Sequence, residues 1–290
     1  MDEPESSISG NIIETIKLKG GEKAVLLLHG LYGNPLEMHY LGRRLKRAGY
    51  TVWIPYIRGC GVADHRKLKR VARWEDWLGA VESAFDALRR EHKEISVGGL
   101  CIGADLALAL AEKRGPDVHA LCLYATTLYY DGWNLTRWRA LRGLAYYTPL
   151  RYVLSFHERP PYGLKDERVR TWIAAQMERG GETAAGAARS PMTGVYQAER
   201  LMRYLRPRLG RITVPTLILH AREDDTASLR SADLVEKHIG ASIVRKVILE
   251  NSYHIITMDN DKDRVLSETL DFISVQGRNM TDPAMTPQAA

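Results

Sequence analysis

Apolar positions along this chain follow two rhythms that alternate. From Ile12 to Leu18 apolar and polar residues take turns, the period of an edge strand. Ala24-Val25-Leu26-Leu27-Leu28-His29 is a nearly unbroken apolar run, the pattern of a strand buried on both faces. A loop follows over Gly30 to Pro35. Leu41, Leu45 and Ala48 then share one face of a helix predicted from Met38 to Ala48. Thr51 to Pro55 is the next strand. Trp74 to Arg90 predicts a long amphipathic helix, with Trp77, Val81, Phe85 and Leu88 at helical spacing. Ile95-Ser96-Val97 is a strand running into Gly98-Gly99-Leu100-Cys101-Ile102-Gly103. A helix rich in Ala and Leu follows from Ala104 to Lys113, then a strand from Ala120 to Tyr124.

Strand and helix in turn, joined by short loops, imply right-handed parallel crossovers and a doubly wound, mostly parallel α/β sheet. The rhythm breaks between Thr126 and Gly210, which holds helical stretches but no clear strand. It resumes with a strand at Thr216 to His220, a helix at Ser231 to His238, a strand at Ser242 to Leu249 and a helix at Lys262 to Val275. The expected organisation is an α/β core over 1–125 and 211–276, a helical insertion over 126–210, and a frayed polar tail over 277–290.

Composition narrows the class. The 290 residues are 45% hydrophobic and 26% charged, which excludes global disorder and fibrous architectures. No stretch approaches 18 uncharged apolar residues, so no transmembrane helix is expected. The acidic N-terminus lacks an apolar signal region, and three cysteines make no closed disulfide framework. Both point to free thiols in a reducing cytoplasm. The net charge of +6 is unevenly placed. Residues 126–210 carry 13 Arg and one Lys against seven acidic residues, a net +7, so the rest of the chain is close to neutral. Neither metal-ligand spacing, nor a phosphate loop, nor a basic tail is present, which argues against metal and nucleic acid.

The chemistry centres on Gly99-Leu100-Cys101-Ile102-Gly103. This G-x-C-x-G sits directly after a strand and before a helix, the setting of a nucleophile elbow. The sharp turn forces its central residue toward positive φ and leaves no room for side chains at the flanking glycines. It projects Cys101 at a helix N-terminus, where free N–H groups and the helix dipole favour a thiolate. A buried structural cysteine in a Gly-rich turn is the plainer reading of the motif alone. The rest of the chain weighs against it. An acid and a histidine follow after later strands: Asp224, with Asp225 as its competitor, and His254 in Glu250-Asn251-Ser252-Tyr253-His254. Open α/β sheets build their sites at such carboxyl ends. Leu31, in His29-Gly30-Leu31-Tyr32-Gly33, and Ile102 are the expected donors of an oxyanion hole.

These residues resemble the α/β-hydrolase superfamily, and within it the branch of small bacterial carboxylesterases and monoacylglycerol lipases. The resemblance is closest at Leu28 to Asn34, Gly98 to Gly103, Pro215 to Asp224, and Ser252 to Asp259. It implies Cys101 as nucleophile, Asp224 as acid, His254 as base, Leu31 and Ile102 as oxyanion donors, no cofactor, and a cap formed by 126–210. Three positions depart from the pattern. Cys101 replaces the usual Ser. Cys60, in Arg58-Gly59-Cys60-Gly61, stands where the branch often has His, and is a candidate for the site rim. Asp105 falls in the first turn of the nucleophile helix, where relatives carry a small or apolar residue. Its plain role is a carboxylate at a helix N-terminus; its sharper role is to tune Cys101 or position substrate. Tyr32 and Asp225 are further candidates for substrate contact.

A thiolate is a better leaving group than an alkoxide, so Cys101 favours thioesters, lactones and other activated acyl donors over ordinary esters. The expected activity is hydrolysis of a carboxylic ester or thioester through an acyl-enzyme. One alternative is transfer of an acyl group from coenzyme A or an acyl carrier protein, attracted by the basic cap. The other is a non-catalytic binding protein of the same fold.

Overall fold

The computed structural model describes residues 14–61, 72–134, 146–178, 182–183, 186–187 and 189–279. Its first five strands are β1 (Ile16–Leu18), β2 (Ala24–Leu28), β3 (Thr51–Ile54), β4 (Ile95–Leu100) and β5 (Ala120–Tyr124). Helices α1 (His39–Arg47), α2 (Trp74–Arg89) and α3 (Ile102–Arg114) connect them. The chain leaves the sheet after β5 and returns at β10 (Thr216–Ala221), followed by α6 (Leu229–His238), β11 (Val244–Leu249) and α7 (Lys262–Asn279). The departing segment contains β6 (Ser155–His157), α4 (Glu167–Glu178), β7 (Glu182–Thr183), β8 (Gly186–Ala187), β9 (Arg189–Pro191) and α5 (Met192–Leu205).

Seven strands form one sheet in the order β1-β3-β2-β4-β5-β10-β11. Only the β1–β3 pair is antiparallel. Successive residues of a strand face opposite sides, so β2 contributes to two cores. Ala24, Leu26 and Leu28 pack with α2 and α3; Val25 and Leu27 pack with α1 and α7. A strand buried on both sides must be apolar at nearly every position, which explains the runs seen in β2, β5 and β10. The parallel register brings Leu28 beside Gly99, Leu100 beside Tyr124, and Ala221 beside Leu249. The loops after β2, β4, β5, β10 and β11 therefore leave the same edge of the sheet.

Two expectations are corrected. The insertion is not purely helical: β6 pairs with β9 and β7 with β8, both antiparallel. These strands are only two or three residues long, too short to show a period. The last helix runs to Asn279, past the expected boundary at 276; residues 280–290 lie outside the described residues, as do Ile12 and Ile13 of the first strand. Among the described residues, no helix is long and apolar enough to cross a membrane, and no group of three His, Cys, Asp or Glu is arranged to hold a metal ion.

Candidate active site

Cys101 sits at the tip of the β4–α3 turn with φ 56° and ψ −121°. A non-glycine residue with positive φ carries strain, and the surroundings must hold it there. They do so through close backbone contact. A Cβ on Gly99 would lie 2.2 Å from the Gly103 carbonyl oxygen, and one on Gly103 would lie 2.4 Å from that of Leu28. Only glycines at both places let strand, helix and the β2 edge meet. The Cys101 carbonyl accepts from the N–H of Ala104 and Asp105, and its own N–H donates to the Tyr124 carbonyl at 3.0 Å. The half-buried thiol lies 3.5 Å from the Thr127 hydroxyl, which also donates to the Ala125 carbonyl at 3.1 Å.

Asp224 and His254 come together as read from their chain order. The His254 Nδ1–H donates to both Asp224 carboxylate oxygens, at 2.9 and 2.8 Å. Asp224 Oδ1 also accepts from the Thr226 and Ala227 N–H groups at 2.8 Å each. Burial favours the neutral acid, but His254, His220 and the Ala227 N–H outweigh it and lower the Asp224 pKa. His254 is 7% exposed. Burial disfavours its charged form, yet Asp224 first and Cys101 second raise its pKa well above the usual histidine value. Its Nε2 is buried with no hydrogen bond of good geometry among the described residues, and Cys101 is close enough to raise the His254 pKa both by charge and as a hydrogen-bond partner. His254 is thus oriented at one nitrogen and open at the other.

The loop after β2 is fixed from beneath. His29 Nδ1–H donates to the Gly30 carbonyl at 2.8 Å, and Nε2 accepts from the Ile57 N–H at 3.0 Å. The Gly30 N–H donates to Glu37 Oε2 at 2.8 Å. A Cβ on Gly30 would lie 3.3 Å from the Cys101 Cβ, so this loop rests on the elbow. Leu31 follows on the loop, and Ile102 opens α3, where the first backbone N–H groups have no intrahelical acceptor.

Tyr32 is a strut: its hydroxyl donates to the Pro191 carbonyl at 2.6 Å and accepts from the Gly194 N–H at 3.0 Å, tying the loop to the insertion. Cys60 is not at a rim. It is fully buried beneath the loop, its carbonyl accepting from the Tyr32 N–H and its sulfur 3.8 Å from the Gly30 carbonyl oxygen; burial pushes its thiol pKa well up. Asp225 faces the insertion, accepting from the Gly163 N–H at 3.2 Å, and burial raises its pKa. Asp105 is fully buried, and neither carboxyl oxygen has a hydrogen-bond partner in good geometry.

Four residues near the site carry no motif. Thr127 reaches the nucleophile from the loop after β5. Glu37 anchors the Gly30 loop. Buried His220 donates from Nε2 to the Ala227 carbonyl at 2.8 Å and lies 3.4 Å from Asp224 Oδ2. Asp259 accepts from the N–H groups of Lys165, Asp166, Tyr253 and Asn260, clamping the His254 loop and the insertion together. The one legible signal was the position of Thr127 and Asp259 just past strand ends or beside the histidine.

The insertion touches the site directly. Ile255 N–H donates to the Gly163 carbonyl at 2.8 Å, and a Cβ on Gly163 would lie 3.3 Å from the His254 Cβ. Two of its basic residues pair with core carboxylates, Arg200 with Glu75 and Lys165 with Glu223, while Arg203 and Arg206 share Glu199 of the insertion itself. Arg137, Arg139 and Arg142 lie outside the described residues.

A mostly parallel sheet with a strained elbow after one strand, an acid after a later strand and a histidine after the next defines the α/β-hydrolase fold. The chain belongs to the family described as serine aminopeptidase, S33, whose model matches residues 21–261. It is 27% identical to a thermostable monoacylglycerol lipase of Bacillus sp. (strain H-257) over 263 residues, covering 90% of this chain and 94% of that protein. It is 26% identical to a carboxylesterase of Bacillus subtilis (strain 168), covering 88% and 94%. A solved monoacylglycerol lipase of Paleococcus ferrophilus superposes with a TM-score of 0.75 at 15% identity, covering 92% of this chain and all of that one.

Proposed function

We propose that this protein is an ester or thioester hydrolase that works through a covalent acyl-Cys101 intermediate. The observation that carries the reading is His254, bonded to Asp224 at Nδ1 and open at Nε2 toward the strained Cys101 elbow. The two curated relatives, whose names describe a lipase and a carboxylesterase, support ester hydrolysis.

His254 takes the Cys101 proton, and Asp224 stabilises the resulting imidazolium. The thiolate attacks the acyl carbon. The Leu31 and Ile102 N–H groups hold the oxyanion as negative charge moves to oxygen. The adduct collapses, the carbon–leaving-group bond breaks, and His254 gives its proton to the departing alkoxide or thiolate. Water then enters. His254 takes one of its protons, hydroxide adds to the thioester, and the second collapse releases acid and returns the proton to sulfur.

The leaving-group argument places thioesters and activated esters ahead of simple alkyl esters. Two of the cap's basic residues, Arg200 and Lys165, pair with the core's Glu75 and Glu223, which leaves less free charge for coenzyme A or an acyl carrier protein. Hydrolysis of activated esters, acyl thioesters and monoacylglycerols, with Cys101→Ala as control, tests the reading. Turnover should vanish with the sulfur. Undiminished turnover in that variant defeats it, and an acceptor-dependent product exceeding free acid makes the protein a transferase.

A further inference from the structure

The segment that opens the insertion runs beside the loop carrying Asp224 and the start of α6, and is bonded to both. The Leu128 and Tyr129 N–H groups donate to Ser231 Oγ at 3.1 Å each. Asp131 Oδ1 accepts from the Ser228 N–H at 2.9 Å. The Gly132 N–H donates to the Thr226 carbonyl at 2.9 Å, and the Asn134 N–H to the Asp225 carbonyl at 3.2 Å. The Trp133 indole N–H donates to the Glu223 carbonyl at 2.9 Å. Bonds from this segment therefore reach the backbone on both sides of Asp224, while the Asp224 carboxylate is engaged with its own loop and with His254. Gly132 lies so close that a Cβ there would fall 2.3 Å from the Asp225 carbonyl carbon and from the Thr226 nitrogen. No side chain fits at that position unless the residue next to Asp224 moves. Trp133 makes a second contact. Its ring meets the Tyr253 ring edge-on, with centroids 5.4 Å apart, and Tyr253 directly precedes His254. The Tyr253 N–H is in turn held by Asp259 at 2.8 Å. Trp133, although 58% exposed, thus touches the loop of the acid through its nitrogen and the loop of the base through its ring.

We propose that Gly132 and Trp133 are positioning residues that set the Asp224 loop against the His254 loop. The Asp224–His254 bond joins two loops that leave different strands, β10 and β11, and a shift of either loop turns the carboxylate away from Nδ1. Through Thr226 and Ala227 the Asp224 turn closes only on itself. Gly132 and Trp133 fix that turn to the entry of the insertion and, through Tyr253, to the histidine side. A misplacement of about 1 Å far from the chemistry can cost on the order of a hundredfold in rate. The insertion is in this way part of the frame of the triad as well as its cover. The inference rests on the triad reading only for its effect on turnover; the fit of the two loops stands apart from it.

The test compares three variants. Trp133→Phe removes the indole N–H and keeps a ring against Tyr253; Trp133→Ala removes both; Gly132→Ala drives a Cβ into the backbone beside Asp224. Each is read in two ways: kcat and KM with an activated ester, and the His254 titration midpoint by NMR without substrate. Asp224 raises that midpoint, so a loosened contact lowers it. The expected result is a kcat lower by about tenfold in Trp133→Ala and by about tenfold to a hundredfold in Gly132→Ala, with KM within about threefold of wild type. The His254 midpoint should fall in both, and Trp133→Phe should lie between wild type and Trp133→Ala on both readouts. A merely structural role would lower the melting temperature and leave kcat and the midpoint, measured well below the melt, at their wild-type values; that result overturns the proposal. So does a rise in KM alone, which would place the two residues at the substrate instead. Should Gly132→Ala not fold, the two Trp133 variants, at an exposed side chain, give the answer. Lowered midpoints in a protein whose wild type hydrolyses none of the esters keep the positioning role and remove the hydrolase instead.

Discussion

His254 Nδ1 lies 2.8 Å from Asp224 Oδ2, while Asp224 Oδ1 is held by the Thr226 and Ala227 N–H groups. The acid is therefore fixed by its own loop before it fixes the histidine. Asp224→Asn preserves the acceptor for Thr226 and Ala227 but turns an amide donor toward Nδ1, forcing the wrong tautomer. A loss of roughly 10³–10⁴ in kcat with the fold intact is expected, by analogy with serine-protease triads. Steady-state kinetics beside a circular-dichroism melt decide it. A loss below tenfold would mean that Asp224 does not orient the base.

The charge on His254 depends on two neighbours in a stated order, Asp224 ahead of Cys101. Its folded pKa is raised, so the charged form contributes stability that is fully present below the unfolded value of about 6.5 and is lost as pH rises through the folded value. Cys101→Ala should lower the His254 midpoint, and Asp224→Asn should lower it further. Histidine NMR reads both, and the reverse order contradicts the geometry.

Glu37 makes a separate pH prediction. Burial raises its pKa to about 7, against the Gly30 N–H and His254, which lower it. For an acid with a raised folded pKa, the folded state holds the proton that the unfolded state has released. Stability therefore falls as pH rises from the unfolded value near 4.5 to about 7, and the loss is complete above that. The full effect is on the order of 3 kcal/mol. Glu37→Gln keeps an acceptor for Gly30 and cannot ionise, so its advantage in denaturant midpoint should grow between pH 4.5 and pH 8. A constant difference across that range refutes the burial account.

Tyr32→Phe probes the strut between the core and the insertion. It leaves the Gly194 N–H without its acceptor and the Pro191 carbonyl without its donor. A cost of about 1–3 kcal/mol is expected, with KM rising more than kcat falls. Equal stability with equal KM would remove Tyr32 from the structural framework.

Much of the sheet was legible because strands buried on both faces must be apolar throughout. The elbow was legible because a strained turn between strand and helix admits few sequences, and Asp224 and His254 because each follows a strand end in a required order. What stayed hidden depends on distance through space. Asp105 is legible as an acid beside the elbow but not as a fully buried one, and Glu37 carries no sequence signal; their burial is decided by packing through space. Tyr32 is a candidate for substrate contact in sequence and Cys60 a rim candidate where relatives often have His, but Tyr32 is bonded to the insertion and Cys60 lies buried beneath the loop. The short strands of the insertion have no period to read.

The most direct measurement of the central claim is the intact mass of the protein after brief exposure to activated esters and acyl-coenzyme A thioesters, followed by peptide mapping. The account predicts one acyl group per chain, attached to Cys101, absent from Cys101→Ala, and lost on continued incubation as free acid appears. An adduct on another residue, or turnover that proceeds unchanged in Cys101→Ala, would contradict it.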